Sequence, residues 1–143
     1  MTRFSLLGLF LLLFGALTSD LQAQTPDIGD PVPVFATGEY EITNTDGTPI
    51  RAGKTVGSTV VQVGPGVYVG WVWIEDEDDP DTRQVIAGEN FVMTPYAPGA
   101  YSGTNDRGNS FELVYNSMTG KWTSVMTSGP NTGTARNWTP ITN

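Results

Sequence analysis

The chain has 143 residues, with 15 Asp and Glu against 7 Lys and Arg, and neither His nor Cys. Without His or Cys there is no Ser-His-Asp or Cys-based nucleophilic constellation, no zinc finger, no haem ligation of the usual kind and no disulfide framework, so packing alone must hold the fold. A formal net charge of −8 excludes nucleic acid as a partner, because phosphates need Lys and Arg to displace their counterions.

Residues 1–23 combine a positive Arg3, an apolar run from Phe4 to Leu17 and a small residue at the end of Leu21-Gln22-Ala23. That order is the pattern of a cleavable signal peptide, and the run is short of the roughly 20 apolar residues a membrane span requires. The expectation is a secreted or periplasmic protein, most naturally bacterial, that does not span a membrane after cleavage. Residues 24–37 carry Pro26, Pro31 and Pro33, each fixing φ and removing a backbone donor, and read as an extended proline-rich arm. Residues 38–143 read as one all-β domain.

From Gly38 onward no apolar period of 3.6 residues appears; short β-prone runs alternate with Gly, Pro, Asn and Asp. Glu39 to Ile42 alternates and is followed by the turn Asn44-Thr45-Asp46-Gly47, after which Ile50 to Lys54 is expected as a returning strand. Thr59–Val63 and Val67–Ile74 flank Gly64-Pro65-Gly66, the strongest hairpin signal in the chain. Further strands are expected at 83–87, 91–94, 100–102, 111–115, 122–126 and 134–141. Eight to ten short antiparallel strands in meander-like hairpins predict a small barrel or sandwich. Gly53-Lys54-Thr55 is not a phosphate loop: Gly47 is misplaced by one residue, and a strand rather than a helix follows.

The central hairpin has two apolar faces. A three-residue loop sets Val63 opposite Val67, Val61 opposite Val69 and Thr59 opposite Trp71. One face then holds Val61, Val63, Val67, Val69, Trp71 and Trp73, and its two indoles mark it as the core side. The other holds Val60, Gln62, Tyr68, Gly70, Val72 and Ile74 and should be wet, although four of its side chains are sizeable and apolar. Three covers are available: a second subunit, a bound ligand or partner, or the arm folding back. Val60, Tyr68, Val72 and Ile74, with Tyr96 and Tyr101 beside a Gly- and Asn-rich loop at 97–110, are therefore the candidate ligand or partner surface. Gly70 itself reads as a bulge or a point of close packing rather than a ligand contact. Trp122 and Trp138 are candidate sugar platforms, against a plainer reading as core residues.

Residues 75–81 place Glu75, Asp76, Glu77, Asp78, Asp79 and Asp81 around Pro80. Oxygen-rich loops suit calcium, but the EF-hand spacing is absent, and a solvated turn of like charges is the favoured reading of the run, with weak calcium binding as its alternative. No other cofactor is indicated. Catalysis would have to rest on carboxylates, as in a glycan hydrolase using two of Glu89, Asp106 and Glu112. The reading favoured over that alternative is a non-enzymatic binding or assembly role, through the apolar and aromatic surface or the mouth of a barrel. The partner would be a small ligand, a glycan or a protein, or a second copy in a homo-oligomer. A purely structural envelope protein is the third reading.

Overall fold

The computed structural model describes residues 33–142; the signal peptide expected at 1–23 and most of the proline-rich arm lie outside them. Among the described residues the chain forms nine strands and no helix: β1 Gly38–Thr43, β2 Lys54–Gly64, β3 Val67–Asp76, β4 Asp79–Val85, β5 Phe91–Ala97, β6 Ala100–Asn105, β7 Ser110–Asn116, β8 Lys121–Met126 and β9 Ala135–Pro140. All pairings are antiparallel. Consecutive strands pair around a ring that closes where β9 meets β1. The result is an eight-stranded up-and-down barrel, with β4 as an additional strand. Closure removes most free sheet edges.

β3 explains how nine strands make an eight-stranded ring. Its first half pairs with β5 through Tyr68↔Met93, Val69↔Val92 and Gly70↔Phe91. Its second half pairs on that same edge with β4 through Trp73↔Val85 and Ile74↔Gln84. On the other edge β3 pairs along its length with β2, with Val61 opposite Val69 and Thr59 opposite Trp71 as the hairpin signal predicts. The register shifts between Gln62 and Gly64, which pairs with Val67; Val63 is therefore the bulged residue rather than Val67's partner.

The two hairpin faces are grouped as expected, but their orientation is reversed. Val60, Tyr68 and Gly70 face into the barrel, and Val60 and Tyr68 are buried there, with Val72 and Ile74 packed against the same core. Val61, Val63, Val69 and Trp71 face outward. Barrel width is the physical reason. An eight-stranded ring has room for little more than its own side chains, so rings from some strands need small residues on others. A Cβ on Gly70 would lie 2.4 Å from Phe91 Cζ and 2.7 Å from the Thr59 carbonyl oxygen, and one on Gly103 would lie 2.3 Å from Phe111 Cζ. The two rings so accommodated meet edge to face, with centroids 5.5 Å apart. The inner face carries a glycine because an aromatic ring occupies its place.

Trp73 is fully buried, as the apolar reading of its face requires, but on the outer wall. It lies over Gly57, where a Cβ would come within 2.4 Å of the indole, and its Nε1–H donates to Thr59 Oγ1 at 3.1 Å. Arg83 of β4 stacks above it, 3.5 Å from the ring centroid, and donates to Glu75 and Glu39, each at 2.8 Å. Burial works against that cation, yet its bonds to Glu39 and Glu75 raise its pKa. β4 is thereby clamped to the wall, and further along the outer face the row Val61, Val69, Val92 remains without cover among the described residues.

Two more expectations change. Residues 50–53 form turns and β2 starts at Lys54, so no separate strand covers Ile50 to Lys54; only an isolated bridge joins Thr43 and Pro49. The strand expected at 100–102 inside the loop read at 97–110 is present and longer: β6 fills the middle of that stretch, leaving one turn at Pro98-Gly99 and another at 106–109.

Candidate functional site

The two ends of the barrel differ. One is filled by aromatic rings centred on Phe35, which precedes β1 and is 1% exposed. Phe35 stacks on Tyr40 with centroids 4.6 Å apart and meets Tyr68, Tyr101, Trp122 and Trp138 edge to face at 5.2–6.3 Å. Its backbone N–H donates to the Tyr101 hydroxyl at 3.2 Å. Burial pushes the Tyr40 hydroxyl pKa up to about 12 and raises that of Tyr68. The last described residues of the arm therefore supply the cover for Tyr68 and Tyr101.

The opposite end is open. Strand alternation brings Ile42 of β1, Val56 of β2, Val72 of β3, Phe91 of β5, Phe111 of β7, Met126 of β8 and Trp138 of β9 around a cavity of about 350 Å³, with Ile50 added from the β1–β2 connection. Its rim is polar and stapled. The Asn105 side-chain oxygen accepts from the backbone N–H groups of Arg107 and Asn109, each at 3.0 Å, fixing the β6–β7 turn. Arg107 reaches across to donate to Glu89 Oε2 at 2.8 Å and to the Ala87 carbonyl at 3.0 Å, tying that turn to the β4–β5 connection. A third loop, 127–134, is anchored where Ser110 N–H donates to Ser128 Oγ at 2.7 Å and Thr127 N–H to the Ser110 carbonyl at 2.9 Å; Pro130, Asn131 and Thr134 complete the rim.

Arg136 stands in this mouth on a different footing from Arg107. It occupies an inward position of β9, opposite Ser124 and two residues before Trp138. Its one hydrogen bond among the described residues is from a terminal nitrogen to the Ala135 carbonyl at 3.2 Å, and no carboxylate pairs with it. Ser124 Oγ accepts from Trp138 Nε1–H at 3.0 Å. The site thus offers apolar walls, three bracing loops and one cation held without an anion.

The six residues expected to share a ligand or partner surface fall in separate places. Val60, Tyr68 and Tyr101 are buried in the plugged half of the barrel. Val72 is on the cavity wall, whereas Ile74 borders a smaller polar hollow of about 200 Å³ with Lys54 and Asp76. Tyr96 is 56% exposed on the outer wall, where its hydroxyl donates to Glu112 Oε1 at 3.2 Å. Trp122 and Trp138 are buried core residues, not exposed platforms.

Half of the acidic run is engaged locally. Asp76 pairs with Lys54, Glu75 with Arg83, and Asp79 Oδ1 accepts from the Asp81 N–H at 3.2 Å. Glu77 and Asp78 make the β3–β4 turn, with Asp78 at φ 63°. Among the described residues no three of Glu75, Asp76, Glu77, Asp78, Asp79 and Asp81 form a group able to hold a metal. Of the candidate catalytic carboxylates, Glu89 is bound to Arg107, and Asp106 shares its rim through a backbone bond to Asn90 at 2.9 Å. Glu112 sits on the outer wall between the buried Phe111 and Leu113, apart from both.

No known protein family, curated protein or solved structure matches the chain.

Proposed function

We propose that the protein is a non-catalytic binder of a small, largely apolar ligand, taken into the open mouth of the barrel. The observation that carries this reading is the contrast between the two ends: one packed solid by Phe35 and its ring of aromatics, the other left as a 350 Å³ cavity with apolar walls. Small-ligand sites are concave, mostly apolar and pre-formed, about 300–1,000 Å³ in volume, with few polar groups to set orientation. This one lies near the lower end of that range, which points to a ligand of modest size. Burying five methylene groups at about 0.8 kcal/mol each would contribute about 4 kcal/mol, so micromolar affinity calls for a further polar contact. The stapled rim limits the ordering cost of binding.

Native mass spectrometry of the protein purified from its own source tests the reading. The expected result is a mass increment lost on denaturation, and its absence from Val72→Trp, in which an indole fills the mouth. A bare protein that also takes up no apolar small molecule from a panel would overturn the reading. A second reading, assembly of copies of the chain, is favoured by one observation, the uncovered outer row Val61, Val69, Val92. It predicts a dimer in light scattering that Val69→Lys dissociates; a monomer at all concentrations removes it.

A further inference from the structure

Resting on that reading of the mouth, we infer that its ligand is an amphiphile bearing one carboxylate, with the headgroup held by Arg136 and Ser124 and the apolar part against the barrel wall. The charge inventory of the cavity leads there. Three of its lining residues are ionisable, Glu89, Arg107 and Arg136. Glu89 and Arg107 neutralise one another at 2.8 Å, and Arg107 spends a further donor on the Ala87 carbonyl. Arg136 therefore leaves the mouth with one net positive charge, in a chain whose formal net charge is −8. Arg136 thus sets a cation without a carboxylate partner among the described residues facing into the cavity, where it attracts an anion.

The geometry of donors narrows the headgroup. A guanidinium carries five N–H donors in a planar fork that matches a carboxylate edge. One of Arg136's donors is used, on the Ala135 carbonyl. The side chain is only half-buried, but its neighbours across and along the sheet are Ser124 and Trp138, so its remaining donors have no protein acceptor among the described residues. Taking a cation partly out of water without an anion is costly, and an incoming carboxylate removes that cost. Ser124 adds a donor. Its oxygen accepts from Trp138, which orients it, and its own hydroxyl hydrogen meets no acceptor among the described residues. One cation and one hydroxyl suit a single negative charge; a dianionic headgroup would leave half its charge uncompensated. Apolar walls beginning at Trp138, Phe111 and Met126 then require the rest of the molecule to be hydrocarbon-like.

Isothermal titration of the full mature chain with decanoate and with decan-1-ol tests this. The expected result is decanoate binding at least about tenfold tighter than the alcohol, the discrimination a charge-assisted bond supplies. Arg136→Gln should bring decanoate binding down to the level of the alcohol with a urea midpoint no lower than the wild type's, and Arg136→Lys, which keeps the charge and loses the fork, should fall between. Equal binding of the two probes to the wild-type chain, or a preference that survives in Arg136→Gln, would overturn the carboxylate inference and leave the mouth as a ligand site. Failure of both probes to bind, together with a bare protein by native mass spectrometry, would overturn both.

Discussion

Replacing Phe35 by Ala tests whether one residue of the N-terminal arm closes the barrel. The ring is 1% exposed and touches five other aromatic rings. Losing its burial alone costs about 1.5–3 kcal/mol, and the cavity left behind adds to this, so that buried Phe→Ala changes fall at about 3–5 kcal/mol. The closed ring of strands cannot collapse inward to fill the gap, which places this site near 4 kcal/mol within that range. With a urea m value of about 1.5 kcal/mol per molar, the midpoint should drop by about 2.5 M without a change of slope. Equilibrium unfolding followed by tryptophan fluorescence reads this directly, because Trp122 lies 5.2 Å from the ring being removed. Val34→Ala is the control: that side chain is 72% exposed and its loss should cost under about 0.5 kcal/mol. A Phe35→Ala cost below about 1 kcal/mol would refute the plug, and with it the distinction between a closed and an open end.

Gly70→Ala should destabilise by about 2 kcal/mol or more, since its Cβ would strike both the Phe91 ring and the Thr59 backbone; Gly64→Ala, which meets nothing within 4 Å, should be neutral in the same urea titration. Arg83→Ala should cost about 1.5–3 kcal/mol from the lost stack and its two charged hydrogen bonds, and should red-shift tryptophan emission as Trp73 becomes wet; an unshifted spectrum would count against the clamp. Tyr40 supplies a pH test. Its folded pKa of about 12 lies above the ordinary value of 10.0, so the folded state is favoured fully below pH 10 and loses that advantage as pH rises through 12. The urea midpoint should fall over that window, and less steeply in Tyr40→Phe.

Much of the barrel is legible in the sequence, and the hairpin around Pro65-Gly66 shows both the reach and the limit of that reading. Its register follows from turn chemistry and from alternation, and Val61 and Val69 do face one another. Which side is inside does not follow, because strand pattern gives two faces and only closure of the ring decides between them. Two indoles on one side look like core, which leaves the side holding Gln62 and Gly70 to be wet. In a closed barrel the small residues belong inside, and Trp73 is buried instead by Arg83, which lies ten residues further along the chain. β6 runs three residues past the strand expected at 100–102, for a related reason. Tyr101, Gly103 and Asn105 alternate inward, but with glycine under the Phe111 ring the strand has the composition of a loop. Arg136 carried a signal: a charge in the same alternating set as the core residue Trp138, at a strand end, reads as a cation turned toward the interior. The cavity itself, assembled from eight strands and four connections, has no local signature. Phe35 has none either, since a lone ring between prolines and β1 shows its role only once the barrel around it exists.

Amide chemical-shift mapping of the protein titrated with decanoate tests the open mouth most directly. Perturbations are expected at Ile42, Val72, Phe111, Ser124, Met126 and Arg136, with Tyr68, Tyr101 and the outer residues Val61 and Val92 unmoved. Shifts concentrated along Val61, Val69 and Val92, with the mouth silent, would contradict the proposed site.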